Sequence, residues 1–404
     1  MHHTIKRPSK TIFLLSIVYA LNLALFVTGS AKADAYIPAH DDIVLEVLPK
    51  SWNNAKTSTT YQLRQAWLNA PSNATIATRL ARHYIDNAKQ SGDTRFYGYA
   101  ERALNPWKHE QTAPPQVLLL RATINQQFHQ FEQALNDLDH LLKMHPNNEQ
   151  AWLTRAGILQ VMGYPLEAAK SCLLLARLTT PLVATSCLSR AVSTTGLAEK
   201  AYSQLLATYR NTRPPAINQQ VWALTILADI AHRLGDINNA QKHYSDALAL
   251  SPENTLLIAY YSDFLIEQKN FNAAYQLLHN KINRNGLLLR LVITEKALKH
   301  PDYIMHKNRL NSLFEEETQW GTYTSLRDQS RFHLTILNNP HKALTFATRN
   351  WQQQKELTDI KLLLQAAIAA NKPAASIKAI QWAQQHQIKD KQLNHLIALI
   401  QNTP

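Results

Sequence analysis

Glycine is scarce in this chain, with nine residues in 404. That scarcity removes the phosphate-cradling loop and the Gly-x-Ser-x-Gly elbow on which nucleotide hydrolysis and serine-hydrolase chemistry are built. It also leaves little sequence suited to sheets or long flexible loops, while the helix formers alanine, leucine and glutamine are abundant. Cysteine is scarcer still: Cys172 and Cys187 are the only two, so the N-terminal region has no thiol for lipid attachment. Histidine is plentiful, at 17 residues, yet no two lie three or four apart. That spacing is the one that would turn two imidazoles from a helix face toward one metal ion. The pairs His232 with Asp236 and Asp302 with His306 have the four-residue spacing of ordinary helix contacts, and a structural or solvated role is expected for both. No catalytic residue, metal ligand or cofactor site is assigned, and the chain is read as a non-enzyme.

What the chain has instead is a beat of about 34 residues. Ala122, Ala156, Ser189, Ala228 and Ser262 follow one another at steps of 34, 33, 39 and 34, and Ala134, Ala168, Ala201, Ala240 and Ala274 take the same four steps. Two tracks sharing even their irregular step mark an internal repeat. From Ala228 the chain runs through Gly235-Asp236, Ala240, Tyr244 and Ala247 to Pro252, which reads as helix, tight turn and helix. The small residues let two backbones approach, Tyr244 fills the space beside them, and Pro252 stops the second helix. Such a pair cannot bury its apolar face alone, so hairpins of this kind stack in series.

These residues resemble the tetratricopeptide repeat family. Residues 222–252 carry its small residue, Gly-Asp turn, alanine, aromatic, alanine and closing proline in order. Residues 116–146, 152–181, 182–214 and 255–285 match through Ala122 and Ala134, Ala156 and Ala168, Ser189 and Ala201, and Ser262 and Ala274. The resemblance implies an all-α, right-handed superhelical α-solenoid of stacked helical hairpins. The 39-residue step falls on Arg213-Pro214-Pro215, where a longer turn is expected to hold the extra residues.

Beyond the five in-phase hairpins the beat loosens. Residues 80–104 read as another hairpin with one extra turn in its first helix, and its string Phe96-Tyr97-Gly98-Tyr99 is expected to pack as core. Ala343 and Ala375, 32 apart, each open a helix after a turn, and residues 377–401 read as the capping helices. Residues 282–321 read as helical, with turns at His300-Pro301-Asp302 and near Trp320-Gly321, and with no assignable register. The resulting organisation is a signal peptide over 1–33, a lead-in segment over 34–72, tetratricopeptide-like hairpins over 73–288, and irregular hairpins with a cap over 289–404.

The signal peptide is read from Lys6, Arg7 and Lys10 ahead of an apolar run over 12–27 and the small residues around Ala31, Ala33 and Ala35. The run is short for a spanning helix, which needs about 20 residues. Cleavage after Ala33 or Ala35 and a periplasmic or secreted mature protein are expected, with an uncleaved N-terminal anchor facing the same side as the alternative. Outside the cytoplasm the excess of 42 Lys and Arg over 29 Asp and Glu points away from nucleic acid and toward acidic lipids, polysaccharides or protein faces. It is densest over 281–309, which reads as a solvated helix face. An exported chain can oxidise its cysteines. Cys172 and Cys187 fall on adjoining helices of successive hairpins, but the helical phase of Cys187 turns it toward the groove and favours two buried thiols over a bond.

Function is thus left to the surface. The family's usual groove phase implies that Gln116, Gln127, Arg190, Trp222, Asp229, Arg233, Tyr260 and Asp263 line a concave face for a partner's peptide or helix. Gln116, Leu119, Leu120 and Thr123 stand where some members hold a carboxylate clamp, and they do not supply one. The leading expectation is an exported scaffold or adaptor for an unidentified protein partner, with no small-molecule cofactor. The alternative is a binder of anionic envelope polymer or polysaccharide that assists its export or assembly. N-terminal sequencing of the mature protein from its native host should begin at Asp34 or Tyr36; a sequence beginning at Met1 overturns cleavage.

Overall fold

Each hairpin is shut by the residues that keep the beat. In the computed structural model all ten, from Ala122 to Ala274, are at most 2% exposed, so the two backbones meet with only a methyl or hydroxymethyl group between them. Where the slot holds serine, its hydroxyl finds an acceptor: Ser189 Oγ donates to the Ala201 carbonyl at 3.2 Å across the hairpin. Ser330 Oγ donates likewise to the Ala343 carbonyl at 2.9 Å, which identifies a further hairpin by the same contact.

The structure describes residues 58–402 apart from 111, 214, 283–284 and 320–324, and these belong to a compact unit over Thr57–Pro404. The expected signal peptide, its cleavage site and most of the lead-in segment lie outside the described residues. The described part holds twenty α-helices. Thr59–Asn69 (α1) leads into nine hairpins: Ala74–Ser91 (α2) with Arg95–Ala103 (α3), Pro115–Gln127 (α4) with Phe131–Met144 (α5), and Glu149–Val161 (α6) with Pro165–Leu175 (α7). Pro181–Val192 (α8) with Ala198–Asn211 (α9), Ile217–Leu234 (α10) with Ile237–Leu250 (α11), and Thr255–Glu267 (α12) with Phe271–Leu278 (α13) follow. Asn285–Leu298 (α14) with Tyr303–Gln319 (α15), Leu326–Thr335 (α16) with Pro340–Gln353 (α17), and Leu357–Ala369 (α18) with Ile377–Gln385 (α19) complete them, and Lys391–Gln401 (α20) closes the array. The substantial helix contacts join elements adjacent or next-adjacent in sequence, as a superhelical α-solenoid requires.

Local chemistry starts and stops these helices. Asn148, Asp236, Asn254 and Asp390 accept from backbone N–H groups in the first turns of α6, α11, α12 and α20, and Pro115, Pro165, Pro181 and Pro340 open others at a position whose N–H has no helical partner. Each first helix of a hairpin ends on a left-handed residue: Gly92, His129, Gly163, Gly196, Gly235, Lys269, Lys299, Asn338 and Asn371. The series 129, 163, 196, 235, 269 repeats the steps 34, 33, 39 and 34, so the beat is written a third time in backbone conformation.

Four expectations are corrected. The extra residues of the 39-residue step lie mainly in helix rather than in a turn. α10 has 18 residues against 13 in α4, α6 and α12, the extra turn being added at its N-terminal end. Cys172 and Cys187 form a disulfide, with Cα atoms 5.5 Å apart; small residues at Ala168, Ala169, Ala184 and Ala191 bring α7 and α8 together, and both cysteines are buried in that seam rather than facing the groove. Ala375 is exposed in a short 3-10 turn, and the buried small residue of that hairpin is Ala379. Finally, Tyr97 of the aromatic string is buried but Tyr99 is half exposed, resting on Phe96 and Tyr84.

The histidine pairs also find other partners. His306 is buried and its Nδ1 lies 2.8 Å from Glu295, itself 1% exposed, so it joins α14 to α15 rather than pairing with Asp302. His232 meets Glu267 at 3.3 Å, and Asp236 is spent on capping α11.

The disulfide links residues 15 apart, and a loop of that size restricts the unfolded chain by about 3 kcal/mol. Cys172→Ala/Cys187→Ala is expected to lose that much in denaturant unfolding, with the helical signal of the native baseline unchanged.

Candidate functional site

The first helices of successive hairpins turn one face inward, and that face is closed from the other side by the chain itself. The Lys355 N–H, between α17 and α18, donates to the Val161 carbonyl at the end of α6 at 2.7 Å, and the Lys389 N–H, between α19 and α20, donates to the Thr194 carbonyl just past α8 at 2.8 Å. Gln354 Nε2 lies 2.9 Å from His129 Nε2. Each contact joins a hairpin to a point about six hairpins further on. Donors 34 residues apart meet acceptors 33 apart, so two stretches of the repeat lie in register. The left-handed glycines of the inner stretch permit it: a Cβ on Gly163 would run into the Trp382 ring and come within 2.8 Å of Lys355 Cβ, and one on Gly196 would lie 2.9 Å from the Lys389 chain.

Inside this closure is a cavity of about 1060 Å³. Its walls come from α6, α8, α10 and α12 on one side and from residues 355–361 and 382–395 on the other. Of the eight residues predicted for the groove, Arg190, Trp222, Asp229, Arg233 and Tyr260 line it. Asp263 lies on the same inner face of α12 but is taken up by two arginines. Gln116 and Gln127 are exposed and are not among the lining residues.

The charged groups of the inner face mostly satisfy one another. Arg233 holds Asp229 at 2.8 Å and the Ser193 carbonyl at 3.0 Å, tying α10 to the turn after α8. Asp263 of α12 accepts from Arg290 of α14 and Arg331 of α16, each at 2.6 Å. Arg327 of α16 grips Asp359 at 2.6 Å and Glu356 at 2.7 Å at the start of α18. Glu356 also faces Arg190 of α8 at 3.6 Å, across the closure. Ion pairs thus run from first helix to first helix around the bore, a ladder that fixes register more than it adds net stability.

The pKa shifts follow from this ladder. Burial pushes the Asp263 carboxyl up, but Arg290 and Arg331 outweigh it and hold it below its ordinary value. For Glu356 burial again acts upward, and Arg327 and Arg190 carry the net shift downward. His129, at the closure, is lowered by burial, with Gln353 opposing. A carboxyl lowered in the folded state stabilises the fold above its unfolded pKa, and that contribution disappears as pH falls through the lowered value.

The cavity's remaining surface has a different character. Trp222, Tyr260 and Trp382 supply aromatic faces, Val221, Ile226, Leu257 and Ile388 supply aliphatic ones, and Thr225, Asn218 and Asn254 add hydrogen-bonding groups. The residues that sequence reasoning missed are Arg327, Lys355, Glu356, Asp359 and Trp382. No local pattern marks them: Lys355, Glu356 and Trp382 meet residues about six hairpins away, and Arg327 and Asp359 pair across neighbouring hairpins; the nearest signal was Glu356 with Asp359, which form a capping box.

A tetratricopeptide repeat family model matches residues 231–280. No curated protein matches the sequence. Among solved structures, pilF of Pseudomonas aeruginosa is 16% identical, covering 51% of this chain and 97% of its own, with a TM-score of 0.37. A Rap protein in complex with competence and sporulation factor is 12% identical over 88% of this chain and 95% of its own, with a TM-score of 0.47. The APC/C hetero-tetramer Cut9-Hcn1 is 13% identical over 87% and 69%, with a TM-score of 0.46.

Arg327 neutralises two carboxylates, and Asp359 is fully shielded from solvent. Arg327→Ala is expected to cost about 3 to 5 kcal/mol at neutral pH, the usual consequence of stranding a buried charge. Carbon-13 carboxyl NMR should show Glu356 titrating at higher pH in the variant than in the native protein.

Proposed function

We propose that this tetratricopeptide-repeat protein is an exported, non-catalytic scaffold that takes a segment of a protein partner into the cavity enclosed by its inner face. The observation that carries the reading is the composition of that cavity. Its strong charges are largely spent on one another, while Trp222, Tyr260, Thr225, Asn218 and Asn254 remain along the wall. Aromatic faces beside amide and hydroxyl groups suit an extended peptide, whose backbone needs hydrogen bonds and whose side chains need apolar contact. At about 1060 Å³ the space stands at the upper end of small-ligand pockets.

The anionic-polymer reading is less well supported. It rests on the basic excess and the scattered Trp and Tyr, and in the densest basic stretch Lys281 is paired with Glu253 at 2.8 Å and Arg290 with Asp263. Export rests on the N-terminal pattern of basic residues, apolar run and small residues. Among the described residues no helix is long and apolar enough to cross a membrane.

The test is photo-crosslinking in the native envelope from Thr225, which lines the cavity, against Gln116, which does not. A discrete protein adduct from position 225 alone, retained in high salt and weakened by Trp222→Ala, is expected. Equal adducts from both positions sink the cavity as the binding site, and salt-sensitive retention of polymer without protein favours the alternative.

A further inference from the structure

The closure is thin where the rest of the array is thick. Within hairpins and between neighbours, helices pack along their lengths. The contacts across the closure come instead from turns and helix ends: the Lys355 and Lys389 amides, Gln354 with His129, Trp382 against Gly163, and His386 edge-on to Tyr164 with ring centres 6.2 Å apart. The ion pair that crosses it, Arg190 with Glu356, is the longest in the bore ladder at 3.6 Å. Parting these contacts breaks no hairpin, since each hairpin is held by its own slot and its sequence neighbours.

The geometry points to a gate: we propose that the seam between residues 161–196 and residues 354–389 opens as one unit while both stretches stay folded, and that this opening admits the partner segment to the cavity. The proposal rests on the cavity being the binding site. Its physical basis is the rigid spacing of the two rungs. Donors at 355 and 389 belong to successive repeats of one stacked body, and acceptors at 161 and 194 to successive repeats of another. A displacement that lengthens one rung therefore lengthens the other. Local openings of this kind are expected at the least densely packed joints of a fold, and in an array of nearest-neighbour contacts this is such a joint.

Hydrogen exchange of the full chain, resolved to single amides, tests the gate without a ligand. The Lys355 and Lys389 amides should exchange at a common rate, well above that of helix-core amides such as Ile158 and Leu224. Two variants probe the coupling. Lys389→Pro deletes one N–H donor, and Trp382→Ala removes the ring beside Gly163 at the other rung. In a gate, Lys389→Pro speeds exchange at Lys355 and Trp382→Ala speeds it at Lys389, each by about threefold to tenfold, the effect of losing one ordinary hydrogen bond or its equivalent. Exchange of both amides at the core rate, or a variant that affects only its own rung, overturns the proposal. Either result leaves the cavity reading standing, because crosslinking from Thr225 judges that separately.

Discussion

The close approach of two helices at a slot of small side chains is the constraint on which the structure depends. At Ala156 and Ala168, or Ala228 and Ala240, nothing larger than a methyl group separates the backbones. A larger residue would spread the pair and tilt the next hairpin with it. In a solenoid such tilts accumulate, since the path of the array is the sum of rotations between neighbours. Contacts that join residues 161–196 to residues 354–389 in register demand hairpins of nearly uniform geometry over about six repeats. The long helix α10 does not spoil this. Its extra turn is added before the slot, at Ile217–Gln220 in place of a longer loop, and it carries Ile217 and Asn218 onto the cavity wall.

Charge serves the same geometry. Arg290 and Arg327 each connect one first helix to the next, Arg233 connects its helix to the turn after α8, and Arg331 reaches past α14 to α12. An arginine fork meeting a carboxylate is strongly directional, so the ladder specifies how neighbouring hairpins rotate. The consequence for binding is that Arg190, Asp229, Arg233 and Asp263 are framework before they are ligand contacts. On the reading proposed above, the side chains left to meet a partner are the less conspicuous ones, Trp222, Thr225, Asn218 and the ring of Tyr260, whose hydroxyl is engaged by Arg190.

The solenoid was legible because its cause is local. Ala122 and Ala134 are twelve residues apart, and everything needed to shut that hairpin lies between and beside them. The inward face of the first helices was legible for the same reason: Arg190, Trp222, Asp229, Arg233 and Tyr260 line the cavity, and Asp263 shares that face without lining it. Gln116 and Gln127 are exposed and do not line it, although the closure touches the same hairpin at His129. The disulfide was misjudged because the phase of Cys187 depends on how α8 lies against α7, and small residues on both helices set that contact. The His306 pairing with Glu295 was missed because it joins two helices in the stretch whose register the sequence does not display.

The closure itself is illegible for a deeper reason. Val161, Gly163 and Gly196 end ordinary hairpins, and Lys355 and Lys389 sit in ordinary connections; nothing in either stretch names the other. Their meeting is set by the curvature accumulated over the repeats between them, a property of the array that no single repeat carries. A contact produced in this way is selected for fit more than for strength. Glycines accommodate it, backbone groups satisfy it, and the cavity beside it has walls on two sides where an open groove has one. On the reading proposed above, a partner segment entering this preformed space gives up less of its binding energy to ordering the receptor. On that reading closure exchanges the broad adaptability of an open concave face for selectivity, and the proposed opening of the thin seam is what brings the enclosed space within reach.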